Sequence, residues 1–307
     1  LPEVAPWAML LATVGAAWMF MPRGVPLRAL GLVLFLPLLW PQRPAPSNAA
    51  FEATVIDVGQ GLSVFVRTHD HALLFDTGAR YPSEFDLGEA AVLPSLRAFG
   101  IGKLDVLMVS HGDNDHAGGA PAVAKAYPDA NVSAGEPQRM PLVSAQCRKG
   151  DHWVWDEVEF TVLNPASDAI GSAATSSDND RSCVLLVEGR GGRLLLTGDI
   201  SRHVEGAVAG QTAAGTPLVL VVPHHGSKSS SSTELLAAMK PVFALVSAGW
   251  KNRFGHPNPA IVERYAQAGI PLDNTASEGA LQVAFPASAP PRIVARERVR
   301  QHRYWRE

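Results

Sequence analysis

Cysteine is scarce in this chain, which has only Cys147 and Cys183. They form no CxxC pair, which argues against a thiolate zinc module. The two are left either to pair in an exported domain or to sit as ordinary buried thiols. Net charge is nearly absent too, a formal −3 from 26 basic and 29 acidic residues. Such a balance neither demands nor excludes an anionic partner, because local patches outweigh the sum. No internal repeat of fixed period occurs. Disorder is not the expectation, since 47% hydrophobic residues in a 307-residue chain can fill a substantial core.

Charge is missing altogether from Val4 to Pro22, and the run "WAMLLATVGAAWMFM" within it is barely long enough to cross a bilayer. A second apolar run, Ala29 to Trp40, is shorter and contains Pro37. A signal peptide would explain one such run but not the pair. A buried helical hairpin is the bland alternative. Trp7, Trp18 and Trp40, near the run ends where amphipathic rings prefer the interface, favour the membrane. Arg23 and Arg28 between the runs predict a cytoplasmic loop, placing everything after Trp40 on the far side. The chain opens at Leu1 on this apolar stretch and is expected to be a piece of a longer polypeptide.

The expected organisation is transmembrane segments over 1–40, a Pro- and Ala-rich linker over 41–50, a main domain over 51–286, and a basic tail over 287–307. In the main domain, short β-branched and apolar runs recur, among them "ALLFDTG", "LDVLMVSH", "RLLLTGD", "PLVLVVPHHG" and "FALVSAG". Helical candidates such as "GGAPAVAKAYP" and "PAIVERYAQAG" are interspersed, so the class is α/β: two sheets between outer helices. "GSAATSSDND" reads as a polar loop. The segment from Pro291 to Glu307 has six arginines against two glutamates, a composition usual for a solvated face and compatible with a nucleic-acid contact.

The densest chemistry lies in "VSHGDNDHAGG", where His111, Asp113, Asp115 and His116 follow an apolar strand. Imidazoles and carboxylates at that spacing can turn inward and hold two cations. A solvated acidic turn would look the same taken alone. A metal centre needs further ligands at other strand ends, and "LLLTGD" supplies Asp199, "PHHGS" supplies His224 and His225, and "GHP" supplies His256.

The order HxDxDHxGG, TGD, HHGS, GHP resembles the metallo-β-lactamase superfamily, and more narrowly the C-terminal domain of ComEC-type competence proteins, membrane proteins of bacterial DNA uptake. "IDVGQG", "LLFDTG" and "SDNDRSCVLLV" agree with it. The resemblance implies an αββα metallo-β-lactamase sandwich behind one or two transmembrane helices, with two divalent cations. His111 and Asp113 would ligate one cation and Asp115 and His116 the other, with Asp199 bridging and His256 completing the second position. Asp113 stands where the superfamily carries histidine, and Asp178 is the nearest residue to a second missing histidine, leaving it or a water for that place. A carboxylate in place of imidazole hardens the first position, which favours Mn²⁺ over Zn²⁺.

Asp115 could also orient water, one of His224 and His225 could protonate the leaving oxygen or contact phosphate, and Lys228 could meet phosphate. Asp57, Gln60, Asp76, Asn179 and Ser182 are expected to hold the metal loops by hydrogen bonds. The glycines of "GQG" and "HAGG" fit positive φ or close backbone approach.

The resemblance implies a metal-dependent nuclease that degrades the non-transforming DNA strand. Its partners would be DNA, favoured as a single strand, the membrane and other DNA-uptake components. Its place would be the inner membrane, with the catalytic domain on the periplasmic side. The alternatives are a phosphoesterase acting on a small or cell-envelope phosphoester, and a non-catalytic domain of the translocation channel.

Overall fold

The computed structural model describes residues 6–22, 24–39, 44–83, 85–166, 178–212 and 215–301. The chain divides into two compact units, one of residues 1–44 with 96–102 and one of 45–95 with 103–307.

In the first unit, the leading apolar run forms a helix over Pro6–Met19. The second forms a 3-10 helix over Arg28–Phe35 that runs into a short α-helix, Leu36–Leu39. The pair meets at two glycines: a Cβ on Gly15 would stand 2.5 Å from the Gly31 carbonyl oxygen, so only glycine permits that approach. Transmembrane helices were expected here. Among the described residues no helix is long and apolar enough to cross a membrane. The leading helix has 14 residues, about 21 Å against a hydrocarbon core of about 30 Å. Trp40, Arg23 and Arg43 lie outside the described residues.

The second unit is built on strands β1 (Phe51–Val55), β2 (Val64–Arg67), β3 (Ala72–Phe75), β4 (Val106–Val109), β5 (Asn131–Ala134), β6 (Ala145–Gln146), β7 (His152–Trp155) and β8 (Val158–Asn164). It continues with β9 (Val184–Gly189), β10 (Gly192–Leu196), β11 (Leu218–Val221), β12 (Phe243–Val246), β13 (Leu272–Asn274), β14 (Leu281–Phe285) and β15 (Arg292–Arg296). One sheet runs in the order β15-β14-β1-β2-β3-β4-β5-β6, the other β13-β12-β11-β10-β9-β8-β7.

Phe51, Val64, Phe75, Met108, Phe160, Leu185, Leu194, Val219 and Phe285 fill one continuous core contributed by both sheets. A second apolar layer joins the other face of β9–β12 to the helices Arg202–Ala209, Thr233–Met239 and Pro259–Gln267 through Val208, Leu235, Leu236, Ile261 and Tyr265. Strands such as β11, "LVLV", are buried on both faces, which is why they read as unbroken apolar runs.

Parallel pairing positions the site. Strand β3 pairs parallel to β4, and β10, β11 and β12 run parallel to one another. Their carboxyl ends therefore lie at one end of each sheet, where open α/β sheets place their ligands. Asp76, His111, Asp199 and His224 each follow such an end within three residues.

Two boundaries differ from expectation. Ala49 and Ala50, assigned to a linker, are buried, and Ala49 N donates to Asp156 O at 2.7 Å. The supposed tail contains β15, which pairs antiparallel with β14 and extends the sheet beyond Pro286, its Ile293 packing on the core. Cys147 and Cys183 form a disulfide that ties the segment after β6 to the segment before β9. Residues 302–307 and most of the loop 171–180 lie outside the described residues.

Candidate metal centre

His111 and His116 are fully buried after β4, on a loop that Asp76 organises from the end of β3. Asp76 accepts from Ser110 N at 2.6 Å, from the Ser110 hydroxyl at 2.8 Å and from His116 Nδ1 at 2.8 Å. That last bond fixes the His116 tautomer and leaves Nε2 as the free donor atom. Thr77 holds the same loop, its N–H reaching His116 O at 2.8 Å. The adjoining glycines serve close approach: a Cβ on Gly119 would lie 2.5 Å from Thr77 O, and one on Gly61 would lie 2.4 Å from Asp115 O. Gly118 and Gly119 have ordinary negative φ, so proximity rather than backbone freedom selects them.

Two sets of donor atoms converge. In one, the ligand atoms of His111, His116 and Asp199 lie within 4.8 Å of one another, and in the other those of Asp115, His116 and His225 do. His116 Nε2 is 3.2 Å from Asp199 Oδ1 and 3.2 Å from His225 Nε2. His225 Nε2 is 3.5 Å from Asp115 Oδ2. His225 Nδ1 donates to Ser247 O at 2.8 Å, which turns Nε2 toward the cluster. His224 Nε2 lies 3.6 Å from Asp199 Oδ2, and its Nδ1 lies 3.2 Å from the Ser229 hydroxyl. Asp76, His224 and His225 adopt positive φ values of 61°, 49° and 52°. A left-handed backbone costs a non-glycine residue about 1–2 kcal/mol, and three such residues gather at one site.

A family model described as "Metallo-beta-lactamase superfamily" matches residues 56–250. The chain belongs to that superfamily. It is 36% identical over 302 residues to "Competence protein ComA" of Neisseria gonorrhoeae, covering 97% of this chain and 41% of that protein. It is 35% identical over 257 residues to "Recombination protein 2" of Haemophilus influenzae, covering 83% and 31%. "ComE operon protein 3" of Bacillus subtilis is 31% identical over 281 residues, covering 82% and 35%. The chain thus spans about two fifths or less of the length of these relatives, which agree with the ComEC-type resemblance.

A metallo-β-lactamase fold implies divalent metal ions, and the donor atoms fit them. His111 Nε2 and Asp199 Oδ1 are buried and make no hydrogen bond, as does His256 Nδ1. Buried polar atoms are rarely left so, and a cation would complete them. The local electrostatics agree. Burial opposes ionising Asp199, yet the surrounding imidazoles, His116 foremost, hold its carboxyl well below the usual range. Burial likewise opposes charging His116 and His225, but Asp199 and its neighbouring carboxylates push both upward. A cation binding these imidazoles would compete with their protons. Burial lowers His224 and His256 instead.

Several expected residues take other places. Asp113, expected as a ligand, accepts at Oδ1 from Arg139 Nη2 at 2.6 Å, while its Oδ2 lies 3.4 Å from His111 Nε2. The neighbouring His111 imidazole, joined by Arg139, lowers the Asp113 carboxyl to about 2 despite burial. Asp178 pairs with Arg139 at 3.0 Å and Arg181 at 3.5 Å, and belongs to neither donor set because two guanidiniums outbid the cluster for its carboxylate. His225 occupies the second set in place of His256, whose ring centroid stands 6.3 Å from that of His225. Lys228 is exposed and belongs to neither set.

Among the residues expected to hold the loops, Asp76 does so directly and Ser182 through Asp199 N at 3.2 Å. Gln60 Oε1 accepts from Gly249 N at 3.3 Å, anchoring the segment that leads to His256. Asn179 acts by its backbone carbonyl, which accepts from Ser182. Asp57 caps its own turn at Gly59 N and pairs with Arg298 at 2.7 Å, away from the metal loop. Sequence reasoning missed Ser110, Glu136, Arg139 and Ser247. Ser110 was visible as the residue before His111, but nothing in the spacing marks the other three. Glu136 is fully buried, accepting from Gly112 N and Arg139.

Proposed function

We propose that the chain is the metal-dependent phosphodiester hydrolase unit of a membrane DNA-uptake protein, a deoxyribonuclease that degrades the non-transforming strand. The observation that carries this reading is the pair of donor sets meeting at buried His116 beside Asp199. The printed names of two relatives, "Competence protein ComA" and "Recombination protein 2", accord with a role on DNA.

His111, His116 and Asp199 would hold one divalent cation, and Asp115 and His225 the other. Such ions supply Lewis acidity that neutralises phosphate charge and acidifies water. The chain does the rest. Asp115, one-third exposed, stands where it can orient an attacking water. His224 is one-quarter exposed beside Asp199 and can donate a hydrogen bond to the leaving oxygen. Mn²⁺ is favoured over Zn²⁺ on the reading that Asp113 Oδ2, 3.4 Å from His111 Nε2, joins this set when a cation binds, since a second carboxylate hardens that position.

We further propose that the unit lies on the periplasmic side of the inner membrane with other DNA-uptake components. The Cys147–Cys183 disulfide favours an oxidising compartment, and Trp7, Leu10 and Phe20 offer exposed apolar surface to lipid.

A second reading, a non-catalytic domain of the translocation channel, is favoured by Asp113 being drawn onto Arg139. One experiment separates them: hydrolysis of end-labelled single- and double-stranded DNA by the full chain with Mn²⁺, beside Asp115→Ala. Cutting by the wild type alone supports the nuclease. If bound metal is confirmed, no DNA is cut and bis(p-nitrophenyl) phosphate is hydrolysed, the substrate is a small phosphoester. Failure to bind metal sinks both enzymatic readings.

A further inference from the structure

We infer that the loop from Gly249 to Gly255 is a docking platform for single-stranded nucleic acid, Trp250 and Phe254 stacking on bases while Lys251 and Arg253 meet phosphates. This inference rests on the DNA reading above and names where the strand is held.

Trp250 is 68% exposed and Phe254 53%, so both rings offer apolar faces to water. Basic side chains alternate with them: Lys251 Nζ lies 5.8 Å from the Trp250 ring, and the Arg253 guanidinium carbon lies 4.8 Å from the Phe254 ring. Stacking faces interleaved with cations are what a sequence-tolerant single-strand site requires.

The loop is built to hold these rings in place. Asn252 Nδ2 donates to Gly249 O at 3.0 Å, and its Oδ1 accepts from Phe254 N at 3.2 Å and His256 N at 3.0 Å. Gly249 N is held by Gln60. A loop pinned at both ends loses little entropy when a ligand docks.

Position and charge select the occupant. The Phe254 ring stacks 5.8 Å from His256, whose ring lies 5.9 Å from His224, so the platform adjoins the donor cluster. The C-terminal segment is compatible with a nucleic-acid contact by composition, but three of its described arginines are engaged elsewhere: Arg296 with Asp273 and Glu278, Arg298 with Asp57, Arg300 with Glu297. No acid is seen paired with Lys251 or Arg253 among the described residues.

The test measures fluorescence anisotropy of a labelled, cleavage-resistant phosphorothioate oligothymidylate with the full chain kept in mild detergent. Trp250→Ala and Phe254→Ala should each raise Kd roughly tenfold, with Trp250→Phe restoring most of the loss. Lys251→Gln with Arg253→Gln should lower the slope of log K against log salt by about one to two, whereas Trp250→Ala should leave that slope unchanged. All four side chains are peripheral, and an unchanged melting temperature verifies folding. If the wild type binds the oligonucleotide and a Trp250→Ala/Phe254→Ala double variant binds it equally, the platform is overturned and the DNA reading stands. If the wild type binds none, both fall. If the substitutions weaken only association with phosphatidylglycerol vesicles, the loop is a membrane contact and the inference is overturned.

Discussion

Asp76 and His116 are both fully buried, with Asp76 Oδ2 2.8 Å from His116 Nδ1. The carboxylate that orients this imidazole also fixes Ser110, so one side chain sets the metal-facing atom and the loop's path together. Asp76→Asn keeps the shape but removes the charge that stabilises this tautomer. Metal affinity is expected to fall about 10- to 100-fold, as for other carboxylates that orient a ligating histidine. Competition against a chromophoric chelator measures this. Unchanged affinity would show that the backbone alone holds the loop.

His225 stands in the donor set where the resemblance places His256. Only His225 shares a donor set with Asp115 and His116. His225→Ala is expected to reduce bound metal from two ions to one by elemental analysis, and His256→Ala to retain both with weaker binding. The opposite pattern would restore His256 as the ligand.

The site's composition was legible because its side chains follow strand ends, where an apolar run stops and a dense polar cluster begins. Ten of the strands show as β-branched or apolar runs. The others escaped because β5, "NVSA", β6, "AQ", and β13, "LDN", are short and polar, while β7 and β15 are edge strands in their sheets. Pairing across the fold was not legible: no spacing shows that Arg139 reaches Asp113 across 26 positions, or that Ser247 aims His225. The membrane expectation came from hydropathy, which reports apolar length but not that the helix stops at Met19.

The disulfide joins Cys147 to Cys183, and the residue before Cys183 supports Asp199 N and faces His111 at 3.4 Å. Closing a loop with sequence separation 36 should stabilise the fold by about 2–4 kcal/mol. Cys147→Ser with Cys183→Ser should lower stability by that amount in urea unfolding and loosen metal binding through Ser182. A variant as stable as the wild type would show that the sheets hold this edge without the crosslink.

Asp156 carries a pH dependence that is separate from the metal cluster. Its Oδ2 accepts from the Thr68 hydroxyl at 2.6 Å, Asp70 N at 2.9 Å and His71 Nδ1 at 3.2 Å. Burial raises the Asp156 carboxyl, but those donors outweigh it and the net shift is downward. A depressed folded value means that the unfolded chain binds more protons in the acid range. Stability from this group is therefore present above the unfolded pKa near 3.9 and is lost as pH falls through the lower folded value. Asp156→Asn suits the local φ of 51°, since asparagine tolerates the left-handed region. It should cost about 1 kcal/mol at neutral pH, with the gap to wild type closing toward pH of about 2. Urea unfolding at both pH values reads this directly, and a gap that does not change with pH would show that Asp156 acts by shape rather than by charge.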